Sequence, residues 1–257
     1  MRYLMRKSNK IIHFIIYIIL WNLYLNLINA ITVSVKDETQ LLNNLKNKTN
    51  DDELILDLEG KTFNFTDKIS VKNSIKKIHI IGKSKKKTIL QFTEITNGFI
   101  FTSLLDSNIQ EIKFSNISIY GYLQFSNNIN VILENAIING SIDINKDQQD
   151  KGSNLDTKVT MKEITFNGLT NSKVNCLNLY GNVVIDDSKF YGNQLFEDSI
   201  IYYNGESSYS IKISNSYFNG MYSNNCISMK DGISVDINLS VFENCSGNSK
   251  SEQNFDG

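Results

Sequence analysis

The sequence predicts an all-β protein: a right-handed parallel β-helix solenoid, three short strands per coil, with a short N-terminal capping helix. Two observations carry this expectation. A ten-residue unit recurs six times, and an apolar pair at strand spacing lies between successive units. The unit reads IKFSNISIYG at 112–121, VILENAIING at 131–140 and VTMKEITFNG at 159–168. It continues as VVIDDSKFYG at 183–192, IKISNSYFNG at 211–220 and VDINLSVFEN at 235–244. Successive starts are 19, 28, 24, 28 and 24 residues apart.

Each position in the unit has a physical reading. Position one is always Ile or Val, position three is large and apolar, and polar residues flank them. That alternation is the period of a half-buried strand. Position five holds Asn116, Asn135, Glu163, Asp187, Asn215 and Leu239. Asn and Asp tolerate left-handed backbone angles, so this position is expected to be a sharp turn. Position eight holds Ile119, Ile138, Phe166, Phe190, Phe218 and Phe242 and is expected to point inward. Position ten is glycine five times and then Asn244, where a second turn is expected.

Between the units, Leu123 and Phe125, Ile142 and Ile144, Leu177 and Leu179, Ile200 and Tyr202, and Ile227 and Met229 keep two-residue spacing. They are read as a third strand. One coil of some two dozen residues cannot bury its own apolar face, so coils must stack about 4.8 Å apart around a shared core.

The organisation follows. Arg2, Arg6, Lys7 and Lys10 precede an apolar run from Ile11 to Ile28 and then Ala30. Residues 1–30 are therefore expected to be a signal peptide or, if uncleaved, a signal anchor. Residues 31–50 are expected to cap the solenoid through a helix bearing Leu41, Leu42 and Leu45 on one face. The solenoid is assigned to 51–245. Residues 246–257 are read as an uncapped tail, which suits a piece of a longer surface protein and end-to-end association through an open last coil.

Removing residues 1–30 takes away four basic residues and no acidic one, leaving 22 basic against 27 acidic, a net of −5. A mildly acidic domain lacks the basic face that nucleic-acid binding needs. Proline is absent, and both arginines fall in the leader. Three cysteines, Cys176, Cys226 and Cys245, are an odd count and do not suggest a disulfide scaffold. Cys226 with Cys245 could bridge adjacent coils, but buried free thiols are the expectation.

The order of helix, LILDLEGKTF (54–63), ISV (69–71), IHIIG (78–82) and TILQF (88–92), then V-x-I-x-N-x-x-F-x-G units, resembles the pectin-lyase-like superfamily. Within it the chain is most similar to non-enzymatic right-handed β-helix proteins of cell surfaces, including polymorphic outer-membrane and adhesin-like repeat proteins. The resemblance spans about residues 33–245. It implies a secreted or cell-surface protein that is adhesin-like, wall-structural or glycan-binding, without cofactor or metal. The alternative it implies is a polysaccharide lyase or glycoside hydrolase with an atypical active site.

The residues weigh against that alternative. Resemblance to pectate lyases would imply calcium-holding aspartates and an arginine base, and no arginine follows residue 6. Resemblance to polygalacturonases would imply three aspartates over two coils beside a Gly-His-Gly segment. Only His79 lies beyond the leader, in IHIIG and without a visible partner. Asp186 and Asp187 are the best acidic pair, but Asp187 falls in the turn column, and so does Glu163. The cysteines have no ligand-like spacing, and no acidic loop resembles a calcium site.

Two features suit binding. Lys76, Lys77, Lys83, Lys85, Lys86 and Lys87 cluster near one early turn and could meet a polyanion, although a solvated loop explains them as well. Position nine carries Tyr120, Asn139, Asn167, Tyr191 and Asn219, an expected exposed stripe of rings and amides suited to sugars. Glycan acceptors of the form Asn-x-Ser/Thr occur at Asn47, Asn64, Asn116, Asn139, Asn238 and Asn244. Asn116 sits in the turn column and is a poor acceptor; Asn47 and Asn64 lie outside the repeats and are favoured.

Overall fold

The computed structural model describes residues 30–46, 52–102, 107, 109–126, 128–145, 157–169, 176–193, 199–205, 208–232 and 234–245. The leader expected at 1–30 falls outside them except for Ala30, and so does the tail at 246–257. Among the described residues no helix is long and apolar enough to cross a membrane. They form one short helix and long stacks of parallel strands, consistent with a parallel β-helix solenoid.

Strands are numbered in chain order. The longer unbroken stack runs β1 (Ala30–Ser34), β2 (Glu53–Asp57), β5 (Lys77–Ile81), β8 (Glu111–Ser115), β10 (Asn130–Glu134), β12 (Lys158–Lys162), β15 (Asn182–Asp186), β18 (Ser210–Ser214) and β21 (Ser234–Asn238). Every pairing in it is parallel. The second sheet contains two runs. One joins β3 (Thr62–Phe65), β6 (Ile89–Phe92), β9 (Ser118–Ser126), β11 (Ile137–Asn145), β13 (Thr165–Gly168), β16 (Lys189–Tyr191), β19 (Tyr217–Asn219) and β22 (Val241–Glu243). The other joins β4 (Ile69–Val71), β7 (Gly98–Phe101), the later halves of β9 and β11, β14 (Leu177–Tyr180), β17 (Ser199–Asn204) and β20 (Asn225–Lys230).

The register matches the repeat residue for residue. Position one runs Ile112, Val131, Val159, Val183, Ile211 and Val235 through paired neighbours. Position eight runs Ile119, Ile138, Phe166, Phe190, Phe218 and Phe242 in the same way. Side chains at period two face one side, so both columns fill the interior and are buried up to the last coil. The Phe190 and Phe218 rings stack at 4.7 Å and Phe218 and Phe242 at 4.8 Å, the spacing of the strands that carry them. Burying each such side chain contributes about 2 kcal/mol.

Position five is left-handed in all six units, with φ of 57° at Asn116, 47° at Asn135, 57° at Glu163, 46° at Asp187, 49° at Asn215 and 49° at Leu239. The turn also links coils: the N–H groups of Asn135, Glu163, Asp187 and Asn215 donate to Lys162, Asp186, Ser214 and Asn238 carbonyls of the following coil. Where two Asn are adjacent in this column their side chains also bond between coils: Asn135 Nδ2 donates to Asn116 Oδ1 at 2.7 Å.

Position six adds a device that the pattern did not announce. Ser188, Ser216 and Ser240 replace the earlier Ile117, Ala136 and Ile164. Each hydroxyl donates to the carbonyl two residues back and accepts the position-six N–H of the preceding coil, at 3.1–3.2 Å. Ser188 and Ser216 are buried, and these paired bonds satisfy them there.

Two expectations need correction. Gly121 and Gly140 do not end their strands: β9 and β11 run straight through them, bent by φ of 141° and 157°. Glycine is required by close approach, since a Cβ on Gly140 would lie 1.8 Å from the Gly121 carbonyl oxygen. β13 ends at Gly168, β16 and β19 stop just before Gly192 and Gly220, and a hydrogen-bonded turn follows Gly220, whose carbonyl accepts the Ser223 and Asn224 N–H groups. In the inter-unit strand, Leu177 pairs with Ile201 and Leu179 with Tyr203, so Ile201 and Tyr203 take the inward column assigned to Ile200 and Tyr202.

The segment expected as a cap begins with a strand, β1, that opens the long stack. Helix α1 (Glu38–Lys46) follows. Asp37 caps it by accepting the Gln40 N–H at 2.8 Å, and Gln40 Oε1 accepts the Lys36 N–H at 2.9 Å. Leu41 and Leu45 are fully buried, and the Glu38 carboxylate accepts the Asn64 N–H of β3 at 2.8 Å. The helix thus closes the first strand of the second sheet.

Candidate functional site

The outward face of the second sheet holds the strongest candidate. Position nine forms a continuous column in register, Tyr120, Asn139, Asn167, Tyr191, Asn219 and Glu243. The pairing extends it backwards to Gln91 and Asn64, which sequence reasoning did not join to it. Eight successive coils thus place an amide, a phenol or a carboxylate at one lateral position.

The column is less open than expected. Tyr120 is 39% exposed, Asn167, Tyr191 and Asn219 are half-buried, and Asn139 is only 7% exposed. Stacking accounts for this, because Asn167 Nδ2 donates to Asn139 Oδ1 at 2.8 Å and its side chain lies along its neighbour. Further on, Asn244 Nδ2 donates to Asn219 Oδ1 at 3.2 Å, and Asn219 Nδ2 donates to the Tyr217 hydroxyl at 3.0 Å. The Tyr217 hydroxyl donates in turn to Glu243 Oε2 at 2.8 Å, which pushes the phenol pKa upward. The Tyr191 and Tyr217 rings lie 5.8 Å apart and tilted.

Beside this column lies a groove of about 530 Å³ lined by Asn167, Gly168, Leu169, Tyr191, Gly192, Asn193 and Met221. Its cause is legible in the unit. Position ten carries no side chain at Gly168 or Gly192, so the edges of Asn167 and Tyr191 are bared. Leu169 and Met221, each more than a third exposed, supply apolar flanks. The result is an aromatic ring, amides and apolar surface around a shallow trough.

The acidic residues fall elsewhere. Asp187 occupies its left-handed turn. Asp186 lies on the outer face of the long stack, accepting from Ser214 Oγ at 2.7 Å and Asn215 Nδ2 at 3.0 Å. Those bonds hold its carboxyl below the usual range. A general acid needs the opposite shift. His79 does have partners, contrary to expectation: Nδ1 lies 3.2 Å from Glu53 Oε1 and Nε2 3.2 Å from Glu111 Oε1. An ionised carboxylate only accepts, so both contacts are hydrogen bonds when the ring carries both protons. The three side chains staple β2, β5 and β8 and leave neither ring nitrogen facing solvent as a base.

The lysines do not form one patch. Lys76 and Lys77 stand at the start of β5, with Lys76 paired to Asp52 at 2.7 Å, whereas Lys83 to Lys87 follow its far end. A five-residue strand separates them by roughly 16 Å. Among the described residues no group of His, Cys, Asp or Glu is arranged to hold a metal ion.

The expectation of free thiols is corrected for one pair. Cys226 and Cys245 form a disulfide with Cα atoms 5.3 Å apart, within bridging range, because Cys245 follows β22 directly above the start of β20. Closing the loop between them, a sequence separation of 19 residues, contributes about 3 kcal/mol in the chain-entropy account. Cys176 stays free and buried, and burial pushes its thiol pKa up. It shares a column with Ile200 and Cys226.

Of the glycan acceptors, Asn64 and Asn238 are exposed, Asn244 is half-buried and bonded to Asn219, and Asn139 is buried. Asn47 lies outside the described residues. No family model, no curated protein and no solved structure matches the chain.

Proposed function

We propose that the chain is a secreted or cell-surface, non-catalytic β-helix that holds carbohydrate in the groove at Tyr191. In this reading the solenoid is right-handed with three strands per coil, of the pectin-lyase-like type, and is exported through a cleaved leader. The observation that carries it is the groove itself, which brings a tyrosine ring, the Asn167 and Asn193 side chains and a glycine-floored trough together. Sugar rings stack on aromatic faces through their C–H surface, and amides supply both donor and acceptor to hydroxyls. The flanking column from Asn64 to Glu243 would extend such contacts along a polymer. Asn64 and Asn238 are the acceptors that N-glycosylation would reach.

Retention of the full chain on immobilised polysaccharides, neutral and acidic, tests this. Tyr191→Ala is expected to weaken retention about tenfold, the loss of a ring–sugar contact of about 1.4 kcal/mol. Tyr120→Ala, three coils away, is expected to matter less. Equal retention of the wild type and Tyr191→Ala would remove the groove from the proposal.

A further inference from the structure

We infer that Lys83, Lys85, Lys86 and Lys87 form a second contact site, one that takes the sulfate or carboxylate groups of an acidic polysaccharide. They occupy a loop that the fold does not require. From β8 onward, the corner between the two sheets takes two residues: Asn116 and Ile117, then Asn135 and Ala136, and the same places in each later coil. At the equivalent corner seven residues, 82–88, join β5 to β6, although Ile81 pairs with Ser115 and Ile89 with Ser118. Four of the seven are lysine. The loop is nevertheless held in one shape. The N–H groups of Lys87 and Thr88 both donate to the Ser84 carbonyl, at 3.0 and 2.9 Å. The hydroxyl oxygen of the fully buried Thr88 accepts the Lys83 N–H at 2.9 Å, and the buried Ser118 hydroxyl donates to the Lys85 carbonyl. The Lys83 and Lys87 stems leave side by side over Gly60: a Cβ there would lie 3.2 Å from the Lys83 Cβ and 3.5 Å from the Lys87 Cβ.

Charge selects the ligand. Among the described residues, none of the four ammonium groups pairs with a carboxylate. Yet residues 31–257 are net acidic. The carboxylates of the preceding corner are engaged: Asp57 accepts the Glu59 N–H at 3.0 Å, and Glu59 accepts the Ser34 hydroxyl. Like charges held together without partners repel, and a polyanion relieves that repulsion while releasing its own counterions. Ammonium groups act as point charges and suit compact sulfate or carboxylate oxygens. A nucleic-acid duplex needs a broader basic face than one loop on an acidic chain. A basic loop alone anchors weakly to a bilayer, and residues 82–88 hold no apolar side chain to insert. The loop leads directly into β6, whose Gln91 belongs to the position-nine column, so a polymer lying along that column would reach it. This choice of polymer rests on the function proposed above. The groove at Tyr191 lies four coils further on, about 19 Å along the stack.

Binding of the full chain to immobilised dextran sulfate, with neutral dextran as reference, reads the site as salt is varied. The sulfated polymer is expected to bind about tenfold more tightly or better, with log Kd rising linearly with log salt. Lys83→Gln together with Lys87→Gln is expected to weaken that binding about tenfold and to lower the salt slope by about two, roughly one per lysine. Arginine at both positions keeps the charge and is expected to keep the affinity. Lys158→Gln with Lys212→Gln removes the same charge from the outer face of the long stack and is expected to change affinity less than about twofold. No binding to dextran sulfate, or unchanged affinity in the first pair, overturns the inference. So does an equal loss in the control pair, which would make the effect one of net charge. Tighter binding to phosphatidylserine vesicles or to a DNA duplex at the same salt overturns the choice of partner. Tyr191→Ala is expected to leave dextran sulfate binding unchanged, so failure of the groove and failure of this site are read separately. A loss with Tyr191→Ala and none with the lysine pair would assign the sulfated polymer to the groove and overturn the inference.

Discussion

Phe190→Ala is expected to destabilise the protein by about 4 kcal/mol and to split its unfolding into two transitions. Phe190 is fully buried, and its ring sits between Phe166 at 6.2 Å and Phe218 at 4.7 Å. Truncation leaves a cavity that neighbouring coils cannot collapse into, because strand pairing on both sides holds them at fixed spacing. In a stack where each coil touches only its neighbours, weakening one interface uncouples what lies beyond it. The coils from β18 onward should therefore melt first, at lower denaturant than the coils before β12. Urea unfolding followed by tyrosine fluorescence and by amide exchange in β10 and β18 separates the two. Phe190→Leu should recover more than half of the loss. A single transition shifted by less than about 1 kcal/mol would mean that the aromatic column does not carry the stack.

Gly140→Ala is expected to cost about 3 kcal/mol although it adds one methyl group on the outside of the core. The added Cβ would lie 1.8 Å from the Gly121 carbonyl oxygen, and backbone cannot give way as a flexible side chain would. β9 and β11 pair over nine residues in succession, from Ser118 with Ile137 to Ser126 with Asn145. Relieving the clash must part that ladder at its centre. Loss of amide protection on both sides of position 140, with Tm lowered by several degrees, is the expected result. Gly192→Ala meets the Asn224 Oδ1 side-chain oxygen instead of backbone, at 2.3 Å, and is expected to be milder. An unperturbed Gly140→Ala would show that adjacent coils are spaced more loosely than described.

Much of the fold was legible because the chain repeats its own pattern. Val131, Leu133, Asn135 and Ile138 recur in type and spacing, so strand, turn and inward position could be aligned without any relative. Legibility failed where the period was blurred. The segment SIIYYN in β17 is apolar almost throughout, so alternation could not decide between Ile200 and Ile201 as the inward residue. Pairings between coils of unequal length were also hidden. Cys245 reaches Cys226 only because the turn after Gly220 brings the start of β20 back beside the residues that follow β22 in the next coil. His79 gains Glu53 and Glu111 from the coils before and after it, which no local motif records. The serine ladder could have been found, since Ser188, Ser216 and Ser240 stand at one position of three consecutive units. The stripe at position nine was visible as residues, but its burial was not. How far Asn139 is covered depends on how Asn167 lies along it. The groove was missed for a related reason: Gly168 and Gly192 read as turn formers, and their second effect is to leave space beside a ring.

The most direct test of the proposed role is to incubate the purified chain with the polysaccharides that retain it, with and without calcium. Unsaturated products and new reducing ends are then followed over hours. Retention without product, weakened by Tyr191→Ala, is the result this account predicts. Released product that is lost when Asp186 and Asp187 are replaced together would contradict it and make the protein an enzyme.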